Sequence, residues 1–240
     1  MLPSEWPQLQ AHILELEKQG LVTRTFRRLD PARQQAVIQA ILDEAAEKNP
    51  TALNIKQVAE RAGVAVGSLY QYFGNRDNLL GFAVELCVRQ MTDLFALSRP
   101  YLLETPLREA LTVYLTYGLE WSQTQQGFIQ FFGRAAYQDD PEMTNKVVKP
   151  VATAMRETIE DMLKAAQQRG EIDSDLDLEA ASRLVNGLTI VVGDSQLLPY
   201  LNHYFQITGE TVPIERIVEA MVDLIMNGFA PKHQTSSGGV

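Results

Sequence analysis

The stretch Asn54 to Leu80, NIKQVAERAGVAVGSLYQYFGNRDNLL, constrains this chain more than any other. It reads as two short helices joined by a tight turn, with a third starting at once. Asn54 is a good helix N-cap, and Gln57 three positions later completes a capping-box pattern. Ile55, Val58, Ala59 and Ala62 fall at i, i+3, i+4 and i+7, one face of a helix. Gly63 can take the left-handed conformation that ends a helix, and Val64 plugs the angle between the helices. The next helix, predicted over about Val66 to Phe73, buries Leu69 and Phe73. At ~100° per residue its opposite face is Gly67, Ser68 and Gln71, flanked by Tyr70 and Tyr72. A buried helix would carry apolar groups there, whereas these small and polar groups suit a DNA groove. Gly67 lets a backbone approach closely, Gln71 can donate and accept at an adenine edge, and Ser68 and the tyrosine hydroxyls suit phosphate oxygens. Asn75 caps a third helix, and Arg76 adds a cation near its free N–H groups. Lys56, at the start of the first helix, joins this DNA-binding set. The alternative is a helical hairpin in an all-helical core, with the run Tyr70-Gln71-Tyr72-Phe73 as packing.

The string from Gly63 to Leu80 resembles the signature of the TetR (tetracycline-repressor) family of regulators. The matching positions are Gly63-Val64, Gly67-Ser68-Leu69-Tyr70, Tyr72-Phe73, Arg76 and Leu79-Leu80. The likeness runs from Asp30 to the start of the helix after Arg76. Two positions depart from the pattern: Ala65 stands where a capping Ser or Thr is usual, and Arg76 where Lys is. The resemblance implies a homodimeric DNA-binding regulator, by default a repressor, with a helical ligand-sensing and dimerising region after the motif.

Composition is compatible with this. Net charge is −9, but it is unevenly spread. Residues 18–90 carry ten Lys/Arg against seven Asp/Glu, and residues 91–240 eleven against twenty. The local potential at a docking face governs encounter with phosphates. No apolar stretch is long enough for a membrane span, and the first residues lack the basic and apolar segments of a secretion signal. The single Cys87 excludes an internal disulfide framework and fits the cytoplasm. It lies in an apolar helix, where a buried spectator thiol is the default. His12, His203 and His233 are far apart, so no zinc site is expected, nor any other cofactor. No nucleophile–base pair, metal cluster or phosphate loop points to an enzyme.

The rest of the chain follows helical periodicity, so an all-α fold is expected. Its divisions are an N-terminal helical extension over 1–29, a helix-turn-helix domain over 30–77, a ligand-binding and dimerisation domain over 78–230, and a flexible tail over 231–240. In the extension, Trp6, Leu9, Ile13 and Leu16 form a stripe, and Gly20 stops the helix. Arg24, Arg27 and Arg28 follow, either as an arm reaching phosphates or a narrow minor groove or as solvated charges on a docked segment. Asp30-Pro31 caps the first helix of the motif domain, and Asn49-Pro50 ends it. A long helix is predicted from Arg76 to about Ser98, broken by Pro100. Pro150 divides or kinks a later one, and Pro199 breaks another.

Two further sites are expected. The helices over about 178–196 and 212–228, read as the last two, are apolar beyond one stripe. Leu184, Val185, Leu188, Val191 and Val192 lie on one, with Ile217, Val218, Met221, Leu224 and Ile225 on the other. Burial on more than one side is implied, as in a two-fold four-helix interface of a homodimer or, alternatively, a central core position within one subunit. Tyr114, Tyr117, Trp121, Phe128, Phe131, Phe132 and Asn186 form the candidate ligand-binding set for an unidentified small-molecule effector. Aromatics with a few polar groups are typical of such pockets, and these favour an apolar or flat molecule; the alternative is that an aromatic stripe at helical spacing is simply core. The competing readings are a helical enzyme or small-molecule binding module without DNA binding, and a sensorless DNA-architectural protein.

Overall fold

The computed structural model describes residues 6–230. The expected flexible tail over 231–240 and the Trp6 side chain lie outside the described residues. Among the described residues every regular element is helical. In chain order these are α1 (Trp6–Lys18), α2 (Arg24–Arg27), α3 (Pro31–Lys48), α4 (Ile55–Ala62), α5 (Val66–Phe73), α6 (Arg76–Glu104), α7 (Leu107–Thr124), α8 (Gln126–Ala136), α9 (Pro141–Met143), α10 (Lys149–Gln168), α11 (Leu178–Leu197), α12 (Pro199–Phe205) and α13 (Ile214–Phe229).

The chain forms two compact units, grouped differently from the sequence divisions. The first holds the residues up to Leu94 together with Trp121–Thr153, so the N-terminal extension and the helix-turn-helix share one unit. The second holds Phe95–Glu120 and the residues from Ala154 onward.

In the first unit, α1 turns Leu9, Ile13 and Leu16 into the core, all fully buried. Gly20 ends that segment at φ +77°, a conformation that costs glycine little. Asp30 caps α3 by accepting the Arg33 N–H at 3.0 Å, and Pro31 fills the first turn, where its missing N–H is harmless. Val37, Ile38, Ile41, Leu42 and Ala45 form the buried face of α3. α4 and α8 both pack on α3. The Arg61 side chain ties α4 to α3, with Nε 3.3 Å from Glu44 and a terminal nitrogen 2.6 Å from Glu47.

Two prolines behave differently. Pro100 lies inside α6 and does not break it, contrary to the expected stop near Ser98. Proline removes one intrahelical bond, to the residue four positions back. That residue is Ala96, which is exposed, so water can satisfy its carbonyl. Pro150 sits in the first turn of α10, where the helical run changes register without a break. The turn before it, Thr144–Val148, is a π-helical turn in which the Lys149 N–H reaches back to Thr144. This wider register absorbs the donor that Pro150 lacks. Pro199 separates α11 from α12, so α12 comes between the two helices that the sequence presents as the last pair.

The second unit is built around Leu107, Leu111, Ile159, Leu163, Val185 and Val222. Its α6–α7 corner is spliced by two side chains from the turn after α10. Arg169 donates to the carbonyls of Leu103 at 2.6 Å and Thr105 at 3.0 Å. Glu171 accepts the Leu107 N–H at 2.6 Å, capping α7. Burial disfavours the Glu171 charge, but the hydrogen bonds from Arg169 and Leu107 outweigh it, so its pKa lies below the ordinary 4.5. A lowered carboxylate pKa stabilises the fold above the unfolded value, and that contribution is lost as pH falls through the folded one. The melting difference between wild type and Glu171→Gln should therefore hold steady above pH 4.5 and shrink below it. A thermal-unfolding series across that range checks this; a difference constant into strong acid would contradict it.

Candidate nucleic-acid interface

The turn between α4 and α5 follows from its residues. Asn54 caps α4 by accepting the Lys56 N–H at 3.0 Å. Gly63 closes α4 at φ +65°, and the Val64 N–H reaches back to Ala59 at 3.0 Å. At the start of α5, Ala65 has no side-chain cap; its carbonyl accepts the Ser68 N–H at 2.9 Å. Asn75 caps α6 by accepting the Asn78 N–H at 2.8 Å.

α5 is split into two faces. Leu69 and Phe73 are each 1% exposed and anchor it to the core. Gly67 and Gln71 are exposed, Ser68 is half-buried, and Tyr70 is half exposed. A methyl group added at Gly67 would meet open space, so nothing within the chain requires glycine there. Lys56 is exposed on the neighbouring α4.

Two members of the expected phosphate-facing set are placed otherwise. Tyr72 is only 8% exposed; its ring packs 5.8 Å from Phe26 and 6.4 Å from Phe73. Arg76 spends its guanidinium on backbone, with Nε donating to the Leu53 carbonyl at 3.0 Å and a terminal nitrogen to the Thr51 carbonyl. It ties the start of α6 to the segment before α4. Those acceptors belong to a short turn, Pro50–Ala52 and its following residue, that side-chain periodicity does not reveal.

The residues missed by sequence reasoning are Thr23 and Phe26. Thr23 bonds to the end of α5 twice, its N–H to the Tyr72 carbonyl at 2.8 Å and its hydroxyl to the Gln71 carbonyl at 2.7 Å. Phe26 is fully buried among Tyr72, Phe73 and Phe82. The available signal was Phe26 itself, the one large apolar residue in the run Arg24 to Arg28.

The candidate ligand set does not fall in one unit. Trp121, Phe128, Phe131 and Phe132 belong to the first, and Tyr114, Tyr117 and Asn186 to the second. Phe128 and Phe131 are core residues at 2% and 0% exposure. In the first unit, Phe128 also borders a cleft of about 540 Å³ lined by Gln35, Gln39, Leu42, Gln123 and Gln126. In the second, Tyr117 is half exposed. The Tyr114 ring lies 6.2 Å from Phe95, and burial pushes its hydroxyl pKa well up. The Tyr114 hydroxyl and the Asn186 carbonyl oxygen are both buried without a hydrogen-bond partner among the described residues. Cys87 is a fully buried thiol whose pKa burial raises well above its ordinary value, which disfavours the reactive thiolate.

α11 and α13 pack on one another in the second unit. Val185, Val192, Val218, Met221 and Ile225 are buried, whereas Leu184 is 68% and Leu224 64% exposed. Leu184, Gly187, Leu188 and the half-buried Val191 follow one another at helical spacing along the outward side of α11; on α13 Leu224 is exposed, while Ile217 packs against the core of the unit.

Comparison with known proteins agrees with this geometry. Residues 37–81 match the model for bacterial regulatory proteins of the tetR family. The HTH-type transcriptional regulator BetI 1 of Chromohalobacter salexigens is 30% identical over 98 residues, 41% of this chain and 48% of that protein. The match thus spans about half the length of that curated relative. The fatty acid degradation regulator FadR of Bacillus halodurans has a similar fold, with TM-score 0.64 at 18% identity over 84% of this chain and 97% of that one. So does the transcriptional regulator FadR of Bacillus subtilis, solved in complex with stearoyl-CoA. Its TM-score is 0.61 at 17% identity, over 81% of this chain and 98% of that one. Among the described residues no helix is long and apolar enough to cross a membrane.

Proposed function

We propose that this chain, whose residues 37–81 match the model for tetR-family bacterial regulatory proteins, is a homodimeric, ligand-responsive repressor of that kind that reads a palindromic operator in double-stranded DNA. The observation that carries the reading is the two-faced α5. Leu69 and Phe73 fix one side, while Gly67, Ser68, Tyr70 and Gln71 stand outward, with open space over Gly67. Gly67 lets the helix backbone come close to the duplex, Gln71 reads a base edge, and Ser68, Tyr70 and Lys56 take phosphate oxygens. Of the original phosphate set, Tyr72 keeps a contact only through its hydroxyl, and Arg76 acts by holding the start of α6.

The exposed leucines of α11 and α13 support dimerisation through these helices. Two copies joined there would cover the exposed leucines of both helices and present two α5 helices to successive major grooves, ~34–36 Å apart on one duplex face. For the effector, the buried Tyr114 hydroxyl and Asn186 oxygen lack partners, which buried polar groups rarely do. A ligand offering an acceptor to Tyr114 and a donor to Asn186 would satisfy both, within a largely apolar surround. Because Bacillus subtilis FadR is complexed with stearoyl-CoA, a long-chain acyl-CoA is the first effector class to test. An effector acts only through its different affinities for two conformations. A coupling of ~1–3 kcal/mol changes DNA affinity ~5–150-fold. α6, which runs through Leu94 from the first unit into the second, is the lever in this scheme.

The reading-head assignment is tested by Gln71→Ala. On a duplex that the wild type prefers, the substitution should cost ~1–3 kcal/mol and relax discrimination at one base pair per half-site. Unrelated duplexes should bind as before. Equal loss on all duplexes would assign Gln71 to the phosphates instead.

A further inference from the structure

Resting on the DNA-binding reading above, we propose that the segment from Gly20 to Arg28 is a second DNA-contacting element, in which Thr23 positions the recognition helix and Arg24 and Arg28 take phosphates beside it. A helix leaves its last carbonyls without intrahelical partners. At the end of α5 the Tyr70 carbonyl takes the Gly74 N–H at 2.8 Å. The next two carbonyls, of Gln71 and Tyr72, are taken by the Thr23 hydroxyl and N–H at 2.7 and 2.8 Å. The segment is also held from α6, where the Asn78 side-chain amide donates to the Gly20 carbonyl at 3.3 Å. Thr23 is thus fastened to the residue whose side chain is assigned to reading bases.

This placement brings two arginines to the rim of the reading head. Where a recognition helix is seated in the major groove, its C-terminal end can lie against the DNA backbone. Arg24 directly follows Thr23, and Arg28 is one helical turn further on. Both are exposed, and neither forms an ion pair among the described residues. Arg27, between them, is paired with Glu17 and only 30% exposed at its side chain. The charges left open are those one turn apart on a segment tied to the end of α5. The planar guanidinium of arginine can form a bidentate contact with phosphate.

The test uses the full chain with two duplexes, one enriched by the wild type from a random-sequence library and one unrelated of equal length. Arg24→Gln/Arg28→Gln should weaken both by a similar factor and make the dependence of log affinity on log salt shallower by about 0.9 per lost phosphate contact. Thr23→Val keeps the branched shape and the N–H bond but removes the hydroxyl donor. It should reduce the preference for the enriched duplex with the salt slope unchanged. If the arginine variant keeps the wild-type slope, the phosphate assignment is overturned. If Thr23→Val keeps the wild-type preference, the positioning role is overturned. In either case the DNA-binding reading stands. A wild type that enriches no sequence at any salt overturns that reading, and this inference with it.

Discussion

Replacing Leu184 and Leu224 together by glutamate is expected to convert the proposed dimer into single chains and to lower affinity for the preferred duplex about 10²–10⁴-fold. These side chains are 68% and 64% exposed on the isolated chain, so the charges cost little there. In a two-fold interface the same positions are desolvated, and four carboxylates without cationic partners oppose association. The loss on DNA follows from linkage of two reading heads: the second half-site is engaged at a high effective concentration only while the heads are joined, a gain of that order. Light scattering reports the mass, and duplex titration the affinity. A variant that stays dimeric and binds as the wild type would remove α11 and α13 from the interface. The far-ultraviolet spectrum of the variant should be unchanged, since neither leucine is part of the buried core.

Phe26→Ala should destabilise the first unit by about 3–5 kcal/mol. The ring is fully buried and lies 5.3 Å from Phe73, 5.5 Å from Phe82 and 5.8 Å from Tyr72. It is the wedge that joins the extension to α5 and α6, and its removal leaves a cavity under the recognition helix. Urea unfolding followed by the far-ultraviolet signal measures the loss. An effect below about 1 kcal/mol would mean that the extension is only loosely packed. DNA preference should fall with stability, because Thr23 can hold the end of α5 only while its segment is docked.

The parts of the fold that local rules govern were legible in the sequence. Asp30, Asn54 and Asn75 cap as their chemistry suggests, Gly63 takes the left-handed turn, and Leu69 and Phe73 face inward at their helical spacing. What escaped depends on partners distant in sequence. Tyr72 reads as a groove residue on α5 alone; its burial comes from Phe26, in a segment joined to it only by folding. Arg76 reads as a free cation, but its acceptors are backbone carbonyls of Thr51 and Leu53, and backbone groups leave no trace in side-chain pattern. Pro100 reads as a stop because proline usually is one, yet the exposed position of Ala96 makes it tolerable. The aromatic residues of α7 and α8 are neighbours in sequence, and the structure assigns them to two units with Phe131 wholly in core. In the second unit, the unpartnered Tyr114 and Asn186 atoms single out polar groups that spacing could not distinguish from solvated ones.

The most direct test of the central claim is enrichment of duplexes by the wild-type protein from a random-sequence library, repeated at several salt concentrations. The expected result is a palindromic sequence with half-site centres 10–10.5 base pairs, or a multiple, apart, preferred over unrelated duplexes by about 10³-fold or more at every salt. The contradicting result is binding that tracks salt alone, with no sequence enriched.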